Sequence, residues 1–417
     1  SVASIPVETL PAIAAPNRTV LLAESVPPQG ADGTLLLARV DKLLDIGALD
    51  DAQALLERAG PTTPALFRRW FDVALLTGTE DLACRALRSN GDIATSYQAR
   101  IFCLARNGDW NAAVLTLNSA ESLGVLSAEE YDLLARFLDP ELFEGDIRIP
   151  LPASVTPLVY RLFEAIGEPI ATGTLPRAFA YGDLRMIASW PDRIAAAERL
   201  AQVGAIAENR LLGIYSERNP LDAGDLGGRV AALQRFDQAI TTRAVDMLSQ
   251  SLPPVWRDMK SARLERVFAQ LYAEPLLAAQ LQGEAERVSY ELSLLSDQYE
   301  IAAQAQGPLN RAAANGPMLR FLGALALGIP ASAPAPSLRA SAVRDGFDDG
   351  GLEAADEVLL AEGRLGEAIL AAGKHVGVAL NGDTASISQA LRLLRKLGLE
   401  DAARQTALQF LLLERRG

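Results

Sequence analysis

The 417-residue chain has a formal net charge of −13 and is 49% hydrophobic but only 6% aromatic, a length that suits about two to four ordinary domains or one elongated array. Cores drawn from Leu and Ala favour close-packed helices over sheets, because strands draw on β-branched and aromatic side chains. The acidic balance excludes a broad nucleic-acid or anionic-membrane surface, which needs clustered cations, and no apolar run reaches the roughly 18 residues that span a bilayer.

In chain order, residues 1–33 read "SVASIPVETLPAIAAPNRTVLLAESVPPQGADG". Their Pro, Ala and small polar residues bury too little surface to order themselves, so a disordered tether is expected. A tail of this kind without an initiator Met fits a chain from which a signal peptide has been removed. Lysine occurs only at Lys42, Lys260, Lys374 and Lys396, a bias that reads as bacterial and GC-rich. The expected compartment is the periplasm, with the cytoplasm as alternative.

Residues 34–139 carry helical apolar periodicity broken at short turns. In "ARNGDWNAAVLTLNSA", Gly108 ends one helix and Asp109 caps the next, while Ala113 lets the two backbones approach closely. The same Gly-to-Ala spacing returns at Gly47 and Ala52, Gly78 and Ala83, Gly363 and Ala368, and Gly398 and Ala403. Neighbouring copies lie about 30 to 35 residues apart, the period of a helical-hairpin solenoid.

On these residues the chain resembles the tetratricopeptide-repeat family. Gly108-Asp109-Trp110 with Ala113 and Ala120, and Gly47 with Ala52, Ala59 and Pro64, match that family's turn and second helix. Arg100 with Ile101, and Arg39 with Val40, stand where the family prefers Leu with Gly, so the repeats are degenerate. The resemblance covers about 34–138 and 351–417. It implies an all-α, right-handed superhelical solenoid whose concave face takes a protein or peptide.

A Pro-rich break at 140–157 opens a middle helical region, 140–328, whose only strand-like fragment is "IRIPLP" at 147–152. Within it, "LPRAFAYGDLRMIASWPDR" is the least repeat-like stretch, and Arg177, Tyr181, Arg185 and Trp190 are residue types that dominate recognition hot spots, so they are the candidate partner-binding residues. Two long helices are expected at about 260–282 and 283–305. Residues 329–350 read as a Pro/Ala-rich linker or strap, followed by C-terminal hairpins over 351–417.

Chemistry is sparse in this sequence. His375 is the one histidine, which rules out multi-His metal sites and suits a structural role. Phosphate-loop and dinucleotide-binding glycine patterns are absent. Glu164 and Glu168 read as a solvated helix face. The stretch 345–356 is similar to a calcium loop through Asp345, Asp349, Gly350 and Asp356, but Phe347 stands at a ligand position. No metal and no cofactor are therefore expected. Cys84 and Cys103 lie on consecutive helices at similar distances from the intervening turn, which allows either a disulfide or two buried thiols. The expected function is a non-enzymatic interaction scaffold or adaptor of the bacterial cell envelope. The rivals are the helical part of a cell-wall enzyme, resembling the doughnut-shaped region of soluble lytic transglycosylases, and a helical carrier of a lipid or small ligand.

Overall fold

A computed structural model describes residues 2, 10–24, 33–93, 96–141, 149–305 and 316–413. Among them the chain forms 23 α-helices linked by short 3₁₀ turns, and no strand. The strand-like fragment at 147–152 begins outside the described residues, and its described part is irregular. The helices gather into two compact units, one of residues 25–188 and one that joins residues 1–24 to residues 189–417. This division differs from the boundaries expected at 140 and 351. The first Pro-rich break lies inside one unit, and the second, expected as a linker or strap, itself holds a helix whose Ala340 and Val343 are fully buried.

The first helix in the chain, α1 (Pro11–Leu22), belongs to the unit that resumes at residue 189. The 25–188 unit contains α2 (Thr34–Ile46), α3 (Leu49–Ala59), α4 (Pro64–Thr77), α5 (Glu80–Ser89), α6 (Tyr97–Arg106), α7 (Trp110–Ser122), α8 (Ala128–Leu138), α9 (Pro157–Ala165) and α10 (Ala180–Asp183). Successive helices from α2 to α8 pack as neighbours. At the α6–α7 turn Gly108 takes φ +84°, a left-handed conformation that costs a glycine nothing. This lets the Asp109 amide donate back to the Leu104 carbonyl at 2.9 Å, and the Asp109 carboxylate then accepts from the Ala112 N–H at 3.2 Å. Gly47 and Gly78 are also left-handed, and Ala52, Ala83 and Ala113 are each fully buried at the helix contact. Phe71, Phe102 and Phe137 continue one aromatic ladder from α4 through α6 to α8. Cys84 and Cys103 form a disulfide between α5 and α6, with Cα atoms 4.9 Å apart.

The other unit adds to α1 the helices α11 (Trp190–Ala201), α12 (Glu208–Tyr215), α13 (Gly227–Thr241), α14 (Val245–Ser261), α15 (Glu265–Ala278), α16 (Glu284–Leu294), α17 (Tyr299–Gln304), α18 (Pro317–Ala326), α19 (Leu338–Asp345), α20 (Ala354–Ala361), α21 (Leu365–Leu380), α22 (Ser386–Lys396) and α23 (Glu400–Leu412). The two long helices expected between 260 and 305 are three shorter ones: the turn at Gly283, where φ is +63°, lies where the two were expected to meet, and a further turn before Tyr299 divides the second. Trp256, Phe268, Phe236 and Tyr272 form the aromatic centre of α13 to α15. Gly363 and Gly398 turn the chain as Gly108 does, and Ala368 and Ala403 are fully buried.

The tether expected over 1–33 is corrected at its centre. Residues 11–22 are helical and pack on α21 and α23. A segment too short and Pro-rich to order alone becomes helical because those two helices cover its apolar stripe.

Candidate functional site

The residues singled out for recognition do not offer an exposed patch. The Tyr181 ring is 5% exposed, and its hydroxyl donates to the Asp50 carboxylate. Arg185 is half-buried and donates to Glu164 and to the Gly182 carbonyl. Arg177 is half-buried in the same unit. Trp190 belongs to the other unit, where it is 2% exposed and its indole N–H donates to the Ile214 carbonyl at 2.7 Å. The expectation of a hot spot is therefore corrected for Tyr181 and Trp190. Each ring packs in a core, and its polar end finds an internal partner, as buried Tyr and Trp usually do. The exposed large apolar side chains of that stretch are Met186 and Ile187, neither of them aromatic.

Glu164 is likewise no solvated face. It sits between Arg161 and Arg185, and Arg161 also reaches the buried Glu80. Beside them Tyr160 donates to Asp183 at 3.1 Å, and burial, reinforced by that carboxylate, pushes the phenol well above its ordinary pKa. In the other unit Tyr215 and Arg229 converge on Glu198, with Arg229 at 2.9 Å. In both networks arginine neutralises carboxylate within the fold, so the chemistry supplied is that of polar pins between helices.

His375 Nε2 lies 2.9 Å from Asp356 Oδ2. With Glu353 they offer ligand-type atoms within 4.8 Å of one another, and among the described residues they are the one such group. Asp356 is buried, and its contact with His375 links α20 to α21. The calcium-like stretch is not drawn around a common centre: Asp356 faces His375, whereas Asp348 accepts from Arg392 and from the Gly350 N–H.

The groove holding α1 is the most elaborated surface. Ile13, Asn17 and Leu21 recur every four residues and are all buried, with Ala12 beside them. Leu10 gives α1 no side-chain cap. Instead, the buried amide of Gln409 on α23 accepts from the Ala12 N–H at 2.8 Å, a helix N-terminus capped from 397 residues away. Arg18 donates to the Gly204 carbonyl at 2.6 Å. On α21, Gly366 and Gly373 lie one heptad apart under the helix. A Cβ at Gly366 would meet Val20 at 3.4 Å, and one at Gly373 would come within 2.5 Å of the Asn17 amide. Gly373 thus leaves room for the Asn17 amide, whereas a Cβ at Gly366 would make only ordinary contact with Val20. Asn17 is 3% exposed, yet neither of its amide atoms has a hydrogen-bond partner among the described residues. Alongside α1 lies a cavity of about 260 Å³, bounded by Pro16, Gly204, Arg263, Asp401 and Gln405 among others.

Periodicity on α1 was available in the sequence, but Pro11 and Pro16 masked it, and nothing local to Gln409 or Gly373 marks them as its receptors. No helix among the described residues is long and apolar enough to cross a membrane. Comparison of the chain with protein-family models, curated proteins and solved structures returns no match.

Proposed function

We propose that the chain is a non-enzymatic interaction scaffold of the bacterial cell envelope, which holds a partner protein or peptide against a right-handed superhelix of tetratricopeptide-like hairpins. The observation that supports this reading is the α1 groove. Helical hairpins that end at left-handed glycines and close on buried alanines seat a short helix, α1, against α21 and α23. Rigid helical arrays bind in this manner because little ordering entropy remains to be lost on the receptor side.

The test is recovery of the tagged full chain from the native envelope fraction, followed by reconstitution of each recovered protein from purified components. A one-to-one complex of micromolar affinity or better is the expected result. Peptidoglycan cleavage by the purified chain, with no reconstituted complex, would transfer the reading to the cell-wall enzyme class. Co-purified lipid in place of protein would transfer it to the carrier class.

A further inference from the structure

We propose that α1 is a built-in, replaceable ligand of its groove, and that the external ligand is a short helix of a partner protein with an aliphatic–small–aliphatic stripe at positions i, i+4 and i+8. This rests on the scaffold reading and names its site and the chemistry of its partner.

The receptor side is prepared for a helix. Gln409 offers a buried acceptor to an uncapped helix start, and Gly373 leaves space for a side chain at the middle of the helix's buried stripe. The resident helix fits this groove imperfectly. Pro16 stands inside α1 and removes one helical hydrogen bond, from its own position to the Ala12 carbonyl. Asn17 carries an amide into the tightest part of the contact, over Gly373, where neither its donor nor its acceptor has a partner among the described residues. An isolated helix of α1's length is marginal in water, so α1 is helical only while seated.

These two defects also indicate which occupant can displace it. A second copy's α1 would bring the same Pro16 and Asn17, and would compete against a helix tethered at an effective concentration of order millimolar. It gains nothing in the exchange. A partner helix with an alanine-sized apolar residue over Gly373 and no internal proline relieves both defects, together worth on the order of 10³-fold in affinity. That is enough to offset the tether at micromolar concentrations.

The probe is a fluorescein-labelled peptide of residues 10–23 carrying Pro16→Ala and Asn17→Ala, titrated onto the full chain and followed by anisotropy. It is expected to bind the full chain at least tenfold more tightly than the unaltered peptide does. Ile13→Asp with Leu21→Asp in the chain, which disables the resident helix, should strengthen probe binding at least tenfold, and Gly373→Trp, whose side chain exceeds the space that Asn17→Ala vacates, should weaken it at least tenfold. No binding to the Ile13→Asp, Leu21→Asp chain, or binding indifferent to Gly373→Trp, overturns the proposal. Where either variant loses its helical circular dichroism, a chain with a protease site inserted between Pro27 and Pro28 replaces it. After cleavage the probe should displace the N-terminal fragment in native mass spectra, and a fragment that stays bound overturns the proposal. Dimers of the full chain that the probe dissolves would assign the groove to a second copy instead. A chain that keeps its envelope partner although the probe never binds loses this inference alone. Probe binding without any envelope partner counts against the scaffold reading.

Discussion

Ala113 lies on α7, which packs against α6, and its methyl group is fully buried. Ala113→Leu adds three carbons where none fit, so the helix pair must separate or adopt strained rotamers. The expected loss is about 1–3 kcal/mol of stability, read as a lower denaturant midpoint; an unchanged midpoint would mean that the side chain escapes to solvent. Gly108 and Asp109 reveal such a contact from sequence because the turn is local: left-handed φ, cap and small residue lie within six positions of one another. Tyr181 and Trp190 were not legible in the same way. An aromatic ring with a polar end suits a recognition surface and a core equally well, and only its surroundings decide. Arg243 and Arg263 illustrate a second kind of silence. Both are left-handed, at φ +52° and +54°, where glycine would be the expected residue, so two helix junctions carry no turn signal.

Within single elements, charge and crosslinks set the stability. Asp72 on α4 is held up to about 6 from its ordinary 3.8, chiefly by burial, with Arg68 and Arg69 pulling it partly back down. Between those two values the folded state binds more protons than the unfolded state, so stability falls as pH rises through that window. Asp72→Asn should flatten this slope and raise stability at pH 7 by about 1–3 kcal/mol. Denaturation series at pH 4, 5, 6 and 7 would show it, and parallel curves for the two proteins would contradict it. The disulfide between α5 and α6 closes a sequence separation of 19 residues, and its loss should cost about 3 kcal/mol. The Cys84→Ala, Cys103→Ala chain is expected to unfold at correspondingly lower denaturant, and the unaltered chain, unfolded without reductant, should label no thiols. Two labelled thiols would mean unbridged cysteines. Prolines were the most misleading of the element-level signals. Pro16, expected in a disordered tether, lies inside α1, and Pro253 with Pro254, a natural helix end, lie inside α14; only Pro275 falls within a helix that the sequence leads one to expect. In α14 the buried Leu252, Val255, Trp256 and Met259 hold the helix together across the break.

For the molecule as a whole, the all-helical class follows from composition, and five hairpin turns follow from the glycine-to-alanine spacing. The grouping of α1 with residues 189–417 does not. Its determinants, Gln409 and Gly373, are single residues on α23 and α21 whose meaning exists only once α1 lies against them. Deleting residues 1–24 should therefore expose the receptor faces, raising amide hydrogen exchange in α21 and α23 at least tenfold. Exchange in those helices unchanged by the deletion would show that α1 does not protect them.

The sequence separation of 397 between Ala12 and its acceptor Gln409 also has a consequence in time. Translation at about 5–20 residues per second delivers the receptor roughly 20–80 s after its helix has left the ribosome. Throughout that interval the nascent chain displays an apolar N-terminal segment with no groove to enter, while the 25–188 unit is synthesised in full behind it. A segment made well before its receptor is thus among the last to find its place, and any factor that meets the polypeptide in that interval meets α1 unfolded and unclaimed.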